Sequence, residues 1–367
     1  MVTSRSMVAM LIGALGLACA GSGVSASLAV AHAGLERREA PPAESALRPS
    51  ASPWWSAFGS QTLDSLIAAA RRDADAAGAG GRLDAPSVEI GVSAAYVAVL
   101  ARTLRLTYIE NVRLAVRRQS QLMAANPALY GDFGQELKRR EAGAEASAKK
   151  LEEQREAQFA FLADRCHMPV EALKKAVADM AAEREIPQFA APVPSALPAA
   201  LLANRDDIQL AASLHGIEPL AMLEGTVDAT DESGDGAQEA DADLPGYPLY
   251  PQAVARGRVE VAEALRRLQA LNDSAADAHR RVDEAKTLFE LSKTRMSRGE
   301  LSEVQMLEDF QGLMLELQKQ AATDGDLSIA WVALVASLGS RTPVVLRATP
   351  ASNAAALRGL PGLAGVF

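Results

Sequence analysis

Two adjacent residues, Cys166 and His167, are the nearest this chain comes to a nucleophile beside its base. A thiolate activated by an imidazole attacks acyl carbons, but only with the base in hydrogen-bond reach and a third group orienting it. Neighbours at a helix end point in different directions, and no orienting group stands near them, so a structural thiol is the reading. His32, His215 and His279 are scattered, with no Ser-His-Asp order and no metal-ligand spacing. Paired carboxylates occur only in solvated runs. Gly78, Gly80 and Gly81 follow no strand and lack the spacing of a phosphate loop, which leaves a linker. Asp231, Ser233, Asp235, Gly236 and Glu239 fall on positions of a calcium loop, yet Ala242 stands where a bidentate glutamate is required. A solvated acidic loop is expected there. No catalytic, cofactor-binding or metal-binding residue is assigned, and the chain is read as a non-enzyme.

Composition points the same way. Of 367 residues half are apolar, but aromatics make up only 4% and alanine dominates, the mix of long helices packed side by side. The net charge of −9 comes without a basic patch, which argues against a nucleic-acid partner. Residues 1–33 read as an export signal: Arg5 supplies the positive start and Met7 to Ala20 an apolar run too short to span a bilayer. Two processing routes stay open. Ala31-His32-Ala33 fits a cut after Ala33, whereas Leu15 to Cys19 resembles a lipobox in which Cys19 becomes lipidated, with Gly16 departing from the aliphatic pattern.

Residues 34–87 hold a proline-containing tether and then Trp54, Trp55 and Phe58, a large apolar load in an aromatic-poor chain that is expected to dock the N-terminal segment on the body. Leu63, Leu66 and Ile67 begin a short amphipathic helix. Residues 88–173 read as a helical hairpin, with Val92, Tyr96, Val99, Leu106, Ile109, Val112 and Val116 as its apolar stripe and a break at Asn126-Pro127-Ala128. Residues 174–253 are a linker with a short helix after Asn204, a short strand within 222–228, the acidic loop, and an extended stretch from Gly246 to Pro251. Residues 254–340 repeat the hairpin: Val261, Leu265, Leu268, Leu271, Ala275, Ala278, Val282, Ala285 and Phe289 step by threes and fours, the spacing of a left-handed coiled coil. Its tip is Ser297-Arg298-Gly299. Residues 341–367 form a low-complexity tail. The fold class is therefore mainly α: two long antiparallel coiled-coil hairpins in an internal repeat, with little or no β-barrel.

These landmarks together resemble the outer-membrane efflux factors, the TolC-like family, and most closely its lipoprotein (NodT-type) branch. That branch begins with a cysteine, a tether and a Trp-Trp-x-x-Phe-x-x-x-x-Leu-x-x-Leu-Ile segment, which Trp54, Trp55, Phe58, Leu63, Leu66 and Ile67 fit. Its mid-chain Arg-Arg-Pro-Asp-Ile resembles Asn204 to Ile208 with the proline lost. Its second tip matches Arg295, Gly299, Ser302 and Leu307, with Gln305 and Met306 in the Asp-Val places. Its closing Ala-Leu-x-x-Leu-Gly matches Ala333 to Gly339 with one residue of slippage, and Ala128 stands where the family has glycine at the first tip.

The resemblance implies a homotrimer in the outer membrane of a Gram-negative-type cell envelope, held by a barrel or a lipid anchor. It implies a periplasmic helical tunnel whose tips meet a periplasmic adaptor, itself linked to an inner-membrane efflux pump. Arg298, Gly299, Ser302 and Ala128 would then be the docking tips. A spanning strand needs about nine to eleven residues, and the space between Ile67 and Val88 shows no alternation of apolar and polar positions. Both repeats thus read as shortened on the membrane side. Two functions follow: an efflux-channel component, or a channel-less periplasmic or lipid-anchored helical protein with a structural or regulatory role.

Overall fold

The computed structural model describes residues 53–76, 85–125, 133–182, 186, 193–218, 223–231 and 249–339. The export signal, Cys19, the tether, the first tip with Ala128, nearly all of the acidic loop and the tail lie outside the described residues. Among the described residues seven α-helices and two short strands follow in order, besides two 3-10 turns (Trp54–Phe58 and Ala199–Asn204): α1 (Gln61–Ala76), α2 (Ala85–Ala124), α3 (Phe133–Cys166), α4 (Val170–Ala182), β1 (Ala196–Pro198), α5 (Asp206–His215), β2 (Thr226–Asp228), α6 (Leu249–Ser297) and α7 (Glu303–Leu338).

Four helices dominate, and the longest, α6, runs about 74 Å at 1.5 Å per residue. They pack as a row. α2 lies between α3 and α7, and α7 lies between α2 and α6. Burial on two sides explains why α2 and α7 are the apolar pair, long and apolar enough to cross a membrane by length and composition, while most of each apolar window faces other protein. The flanking helices are amphipathic instead. On α6 the expected stripe is inside: Val261, Leu265, Leu268, Ala275, Ala278, Val282 and Phe289 are buried, with Leu271 and Ala285 half-buried. On α3 the buried set is Leu137, Ala144, Ala148, Leu151, Phe159, Leu162 and Cys166, whose small residues let α2 approach.

Two segments differ from the sequence reading, and the short strand expected within 222–228 has a partner that the sequence did not indicate. The stretch 249–251, expected as extended chain, opens α6, and Pro251 fits there because a first-turn N–H has no helical acceptor to lose. The boundary drawn at 173 falls inside α4, whose Leu173 and Val177 are buried. The strand within 222–228 is the three-residue β2, and it pairs antiparallel with β1, with Leu197 opposite Val227. That partner was hidden by the surrounding prolines. Arg258, Arg266 and Gln269 of α6 reach the carbonyls of Thr226, Ala229 and Pro194 and hold this ribbon against the helix.

Candidate functional site

The second hairpin turns through two local motifs back to back. At the end of α6, Gly299 adopts φ +75°, Gly299 N–H donates to the Met296 carbonyl at 2.9 Å, and Glu300 N–H donates to the Arg295 carbonyl at 2.9 Å. That pair of bonds is a Schellman closure, and its left-handed position is where glycine avoids a Cβ clash. Three residues later Ser302 caps α7. Gln305 N–H donates to Ser302 Oγ at 3.3 Å while Ser302 N–H donates to Gln305 Oε1 at 3.2 Å. This capping box satisfies two otherwise orphaned donors. Arg298 stands exposed at the apex, and Ser302 is exposed beside it. The tip is thus rigid in its backbone and polar on its outside.

Behind the tip, polar groups fasten the two hairpins together. Arg118 of α2 donates to Glu303 at 2.7 Å, at the first turn of α7. The Gln119 amide donates to the Val304 carbonyl at 2.9 Å and to Glu308 at 3.0 Å, and Gln311 donates to Gln119 Oε1 at 2.7 Å. Arg140 of α3 completes the set with Glu308 at 3.0 Å and Glu136 at 3.2 Å. Ser292 donates to the Asp309 carboxylate across the α6–α7 seam. The end of α2 and the start of α7 therefore lie side by side, and both hairpins turn at the same end of the bundle. Sequence reading missed this network. Its signal was present, since Gln119 occupies a stripe position three residues beyond Val116 on a helix otherwise apolar on that face.

The opposite end is built on aromatics. Trp54, Trp55 and Phe58 are all buried. Trp54 and Phe58 lie 5.8 Å and 5.2 Å from the ring of Trp331 on α7. Trp54 Nε1–H donates to Glu89 at 3.3 Å, and Arg71 of α1 donates to the same carboxylate at 2.6 Å while its guanidinium sits over the Trp55 ring. Burial raises the Glu89 pKa, and Arg71 and Trp54 oppose the rise. A buried carboxylate needs such partners. Arg205, carried over as the mid-chain motif arginine, joins three elements: it pairs with Asp207 at 2.8 Å and Glu260 at 2.7 Å and donates to the Ser337 carbonyl at 2.7 Å.

The Cys166–His167 pair does not form a catalytic unit. Cys166 is buried, its thiol donates to the Leu66 carbonyl at 3.5 Å, and burial pushes its pKa up to about 11. Almost no thiolate exists at neutral pH. His167 is exposed on a left-handed backbone, φ 48°, where the chain turns into α4. Of the calcium-loop residues only Asp231 is described; the rest lie outside the described residues. Among the described residues no group of three or more His, Cys, Asp or Glu converges as a metal site would.

No protein-family model matches the chain, and no curated protein sequence matches it. Solved structures do. One is CusC, described with conformational changes accompanying folding and transmembrane channel formation: 15% identity, 78% of this chain, 98% of that chain, TM-score 0.51. Another is the outer-membrane channel OprN: 16% identity, 80% of this chain, 93% of that chain, TM-score 0.54. At such identities the likeness defines the fold. The fold is mainly α and of the TolC-like type, a row of long helices in two antiparallel hairpins with almost no strand among the described residues.

Proposed function

We propose that this chain is an outer-membrane-factor-like component of a tripartite efflux system. In this reading three copies set their helical rows edge to edge around a periplasmic tunnel, and drugs or small solutes pass without covalent chemistry. The tips, with Arg298, Gly299, Ser302 and Ala128, dock a periplasmic adaptor linked to an inner-membrane pump. Anchoring in the outer membrane is by a barrel or by lipid on Cys19. The observation that carries the reading is the order α3–α2–α7–α6 with both hairpins turning at one end, in a fold like that of CusC, described with transmembrane channel formation, and of the outer-membrane channel OprN.

A second reading is favoured by one length. Only the eight residues 77–84 connect α1 to α2, fewer than one membrane-spanning strand requires, about nine to eleven. On that ground the alternative is a channel-less protein, lipid-anchored or periplasmic, that keeps the adaptor-facing hairpins and serves as a structural or regulatory partner. Conductance across liposomes carrying the purified protein, together with membrane fractionation, separates the two. Stepwise single-channel currents from a trimer establish the channel reading. Envelope association without conductance establishes the other, and a protein that crosslinks to no adaptor from position 298 defeats both.

A further inference from the structure

Two arginines on α2, Arg102 and Arg105, carry charge that the fold leaves without a counter-ion. Both are partly buried, and neither makes an ion pair or a side-chain hydrogen bond with another described residue. Every other partly buried arginine among the described residues ends on a carboxylate or a backbone carbonyl, as Arg113 does on Glu110 at 2.7 Å and Arg258 on the Glu224 carbonyl at 2.8 Å. The Nε of Arg105 is enclosed and has no hydrogen-bond partner. Residues three apart on a helix are neighbours, so the two guanidiniums share one patch. Burial, the largest influence, pulls both pKa values down; Asp326 opposes it, and Arg102 adds to the fall at Arg105. A charge withdrawn from water in this way costs free energy until an opposite charge meets it.

Helical geometry fixes the face on which they stand. The α1 side of α2 is marked by Tyr96, whose hydroxyl lies 2.9 Å from Ser60 Oγ, and by Glu89, 2.6 Å from Arg71. At 3.6 residues per turn, Arg105 lies about 180° and Arg102 about 120° around α2 from Tyr96. They therefore look away from α1, close to where α2 and α7 come together at Ala101 and Gly325. Asp326 follows Gly325 and is exposed. It acts on both arginines without pairing with either. Two guanidiniums against one carboxylate leave the patch with a single net positive charge.

We propose that Arg102 and Arg105 bind the charged group of a singly negative organic oxyanion, a carboxylate or a sulfonate. A guanidinium fork donates two parallel N–H bonds to such a group, and in a partly buried patch those bonds are stronger than in water. One negative charge balances the patch, whereas a doubly charged phosphate would set its excess against Asp326. Partly buried Ile329, one turn beyond Asp326 on α7, offers apolar surface to the body of the solute. The consequence for transport rests on the tunnel proposed above: the face without α1 is the one free to line a lumen, where each of three copies would place two guanidiniums. The solutes favoured there are organic anions.

The test is arginine footprinting of the purified full chain with phenylglyoxal, read residue by residue by mass spectrometry. Titrated benzoate should slow labelling of Arg102 and Arg105 by at least about threefold along a saturation curve, because bound anion shields the site in proportion to its occupancy. Labelling of exposed Arg298 should stay unchanged. Equilibrium dialysis of radiolabelled benzoate supplies an independent readout: binding should be lost in the double variant Arg102→Gln, Arg105→Gln and tightened several-fold in Asp326→Asn. Equal slowing at Arg298, benzoate binding that survives the double substitution, or tighter binding of inorganic phosphate than of benzoate each overturns the proposal. Neither measurement needs a pore, so their failure leaves the channel reading standing, and a lack of conductance leaves the site standing.

Discussion

The imidazole Nε2 of His279 lies 2.9 Å from Oδ1 and 3.2 Å from Oδ2 of Asp324, across the seam between α6 and α7. Asp324 is buried, 6% exposed, and the pair joins Ser292–Asp309 and Arg281–Glu316 among the polar contacts that cross this largely apolar seam. The hydrogen bond to Asp324 raises the pKa of His279; burial pulls it down, and the charges of Asp324 and of Asp283, one turn along α6, add to the rise. The folded value is thus above the free value of about 6.5. A raised histidine stabilises the fold fully below its unfolded pKa, and that contribution is lost as pH rises through the folded pKa.

The second hairpin should therefore be tighter in mild acid than at alkaline pH. Thermal midpoints measured from about pH 5.5 to about pH 9 should fall across the raised titration of His279. His279→Gln should flatten that part of the profile. His279→Ala leaves a buried carboxylate without its partner and should cost about 1–3 kcal/mol. A profile identical in wild type and His279→Gln would remove the pair from any account of stability.

Gly325 marks a close approach of α7 to α2. A Cβ there would stand 2.6 Å from the Cβ of Ala101, and neither atom can swing away on a side-chain torsion. Gly325→Ala should destabilise by about 1–3 kcal/mol through overpacking, although alanine is the better helix former. Adding Ala101→Gly should recover most of the loss. Urea melts of the two single variants and the double variant check both parts, and simple additivity would place the contact elsewhere.

Parts of this arrangement were legible in sequence for a physical reason, and parts were not. The stripe from Val261 to Phe289 announces which face of α6 is buried, because threes and fours put those residues on one line of a helix. It says nothing of which helix receives that face. The order α3–α2–α7–α6 depends on contacts such as Gly325 with Ala101 and Arg118 with Glu303, between residues about two hundred apart in the chain. The His279–Asp324 pair escaped for the same cause: alone, each residue reads as a solvated polar group. The tip glycine was legible because a left-handed turn needs it, whereas the Pro251 helix start misled through the ordinary association of proline with extended chain.

Trp331 is the keystone of the aromatic end. It is fully buried and meets both Trp54 and Phe58 at ring separations under 6 Å. Trp331→Ala should cost about 3–5 kcal/mol. Because its partners lie at the start of the described chain, the loss should free that segment first. Limited proteolysis should then cut near Trp54 at temperatures where far-ultraviolet circular dichroism still reports intact helix. Cooperative loss of everything at once would mean that the segment is integral to the bundle rather than docked on it.

The tip offers a way to separate folding from docking, because its residues have different jobs. Ser302 holds the capping box, so Ser302→Ala should lower stability by about 1 kcal/mol whatever the protein binds. Gly299 sits at φ +75°, and a β-branched residue there should cost roughly 1–2 kcal/mol for the same reason of backbone geometry. Arg298 is exposed at the apex and makes no side-chain bond to another described residue. Arg298→Glu should leave the melting curve within about 0.5 kcal/mol of wild type. If the tip is the adaptor contact, that reversal alone should abolish crosslinking to the adaptor from neighbouring positions, while Ser302→Ala retains it under conditions where the protein remains folded. A reversal of charge at Arg298 that leaves adaptor crosslinking intact would confine the tip to the role of an interhelical turn.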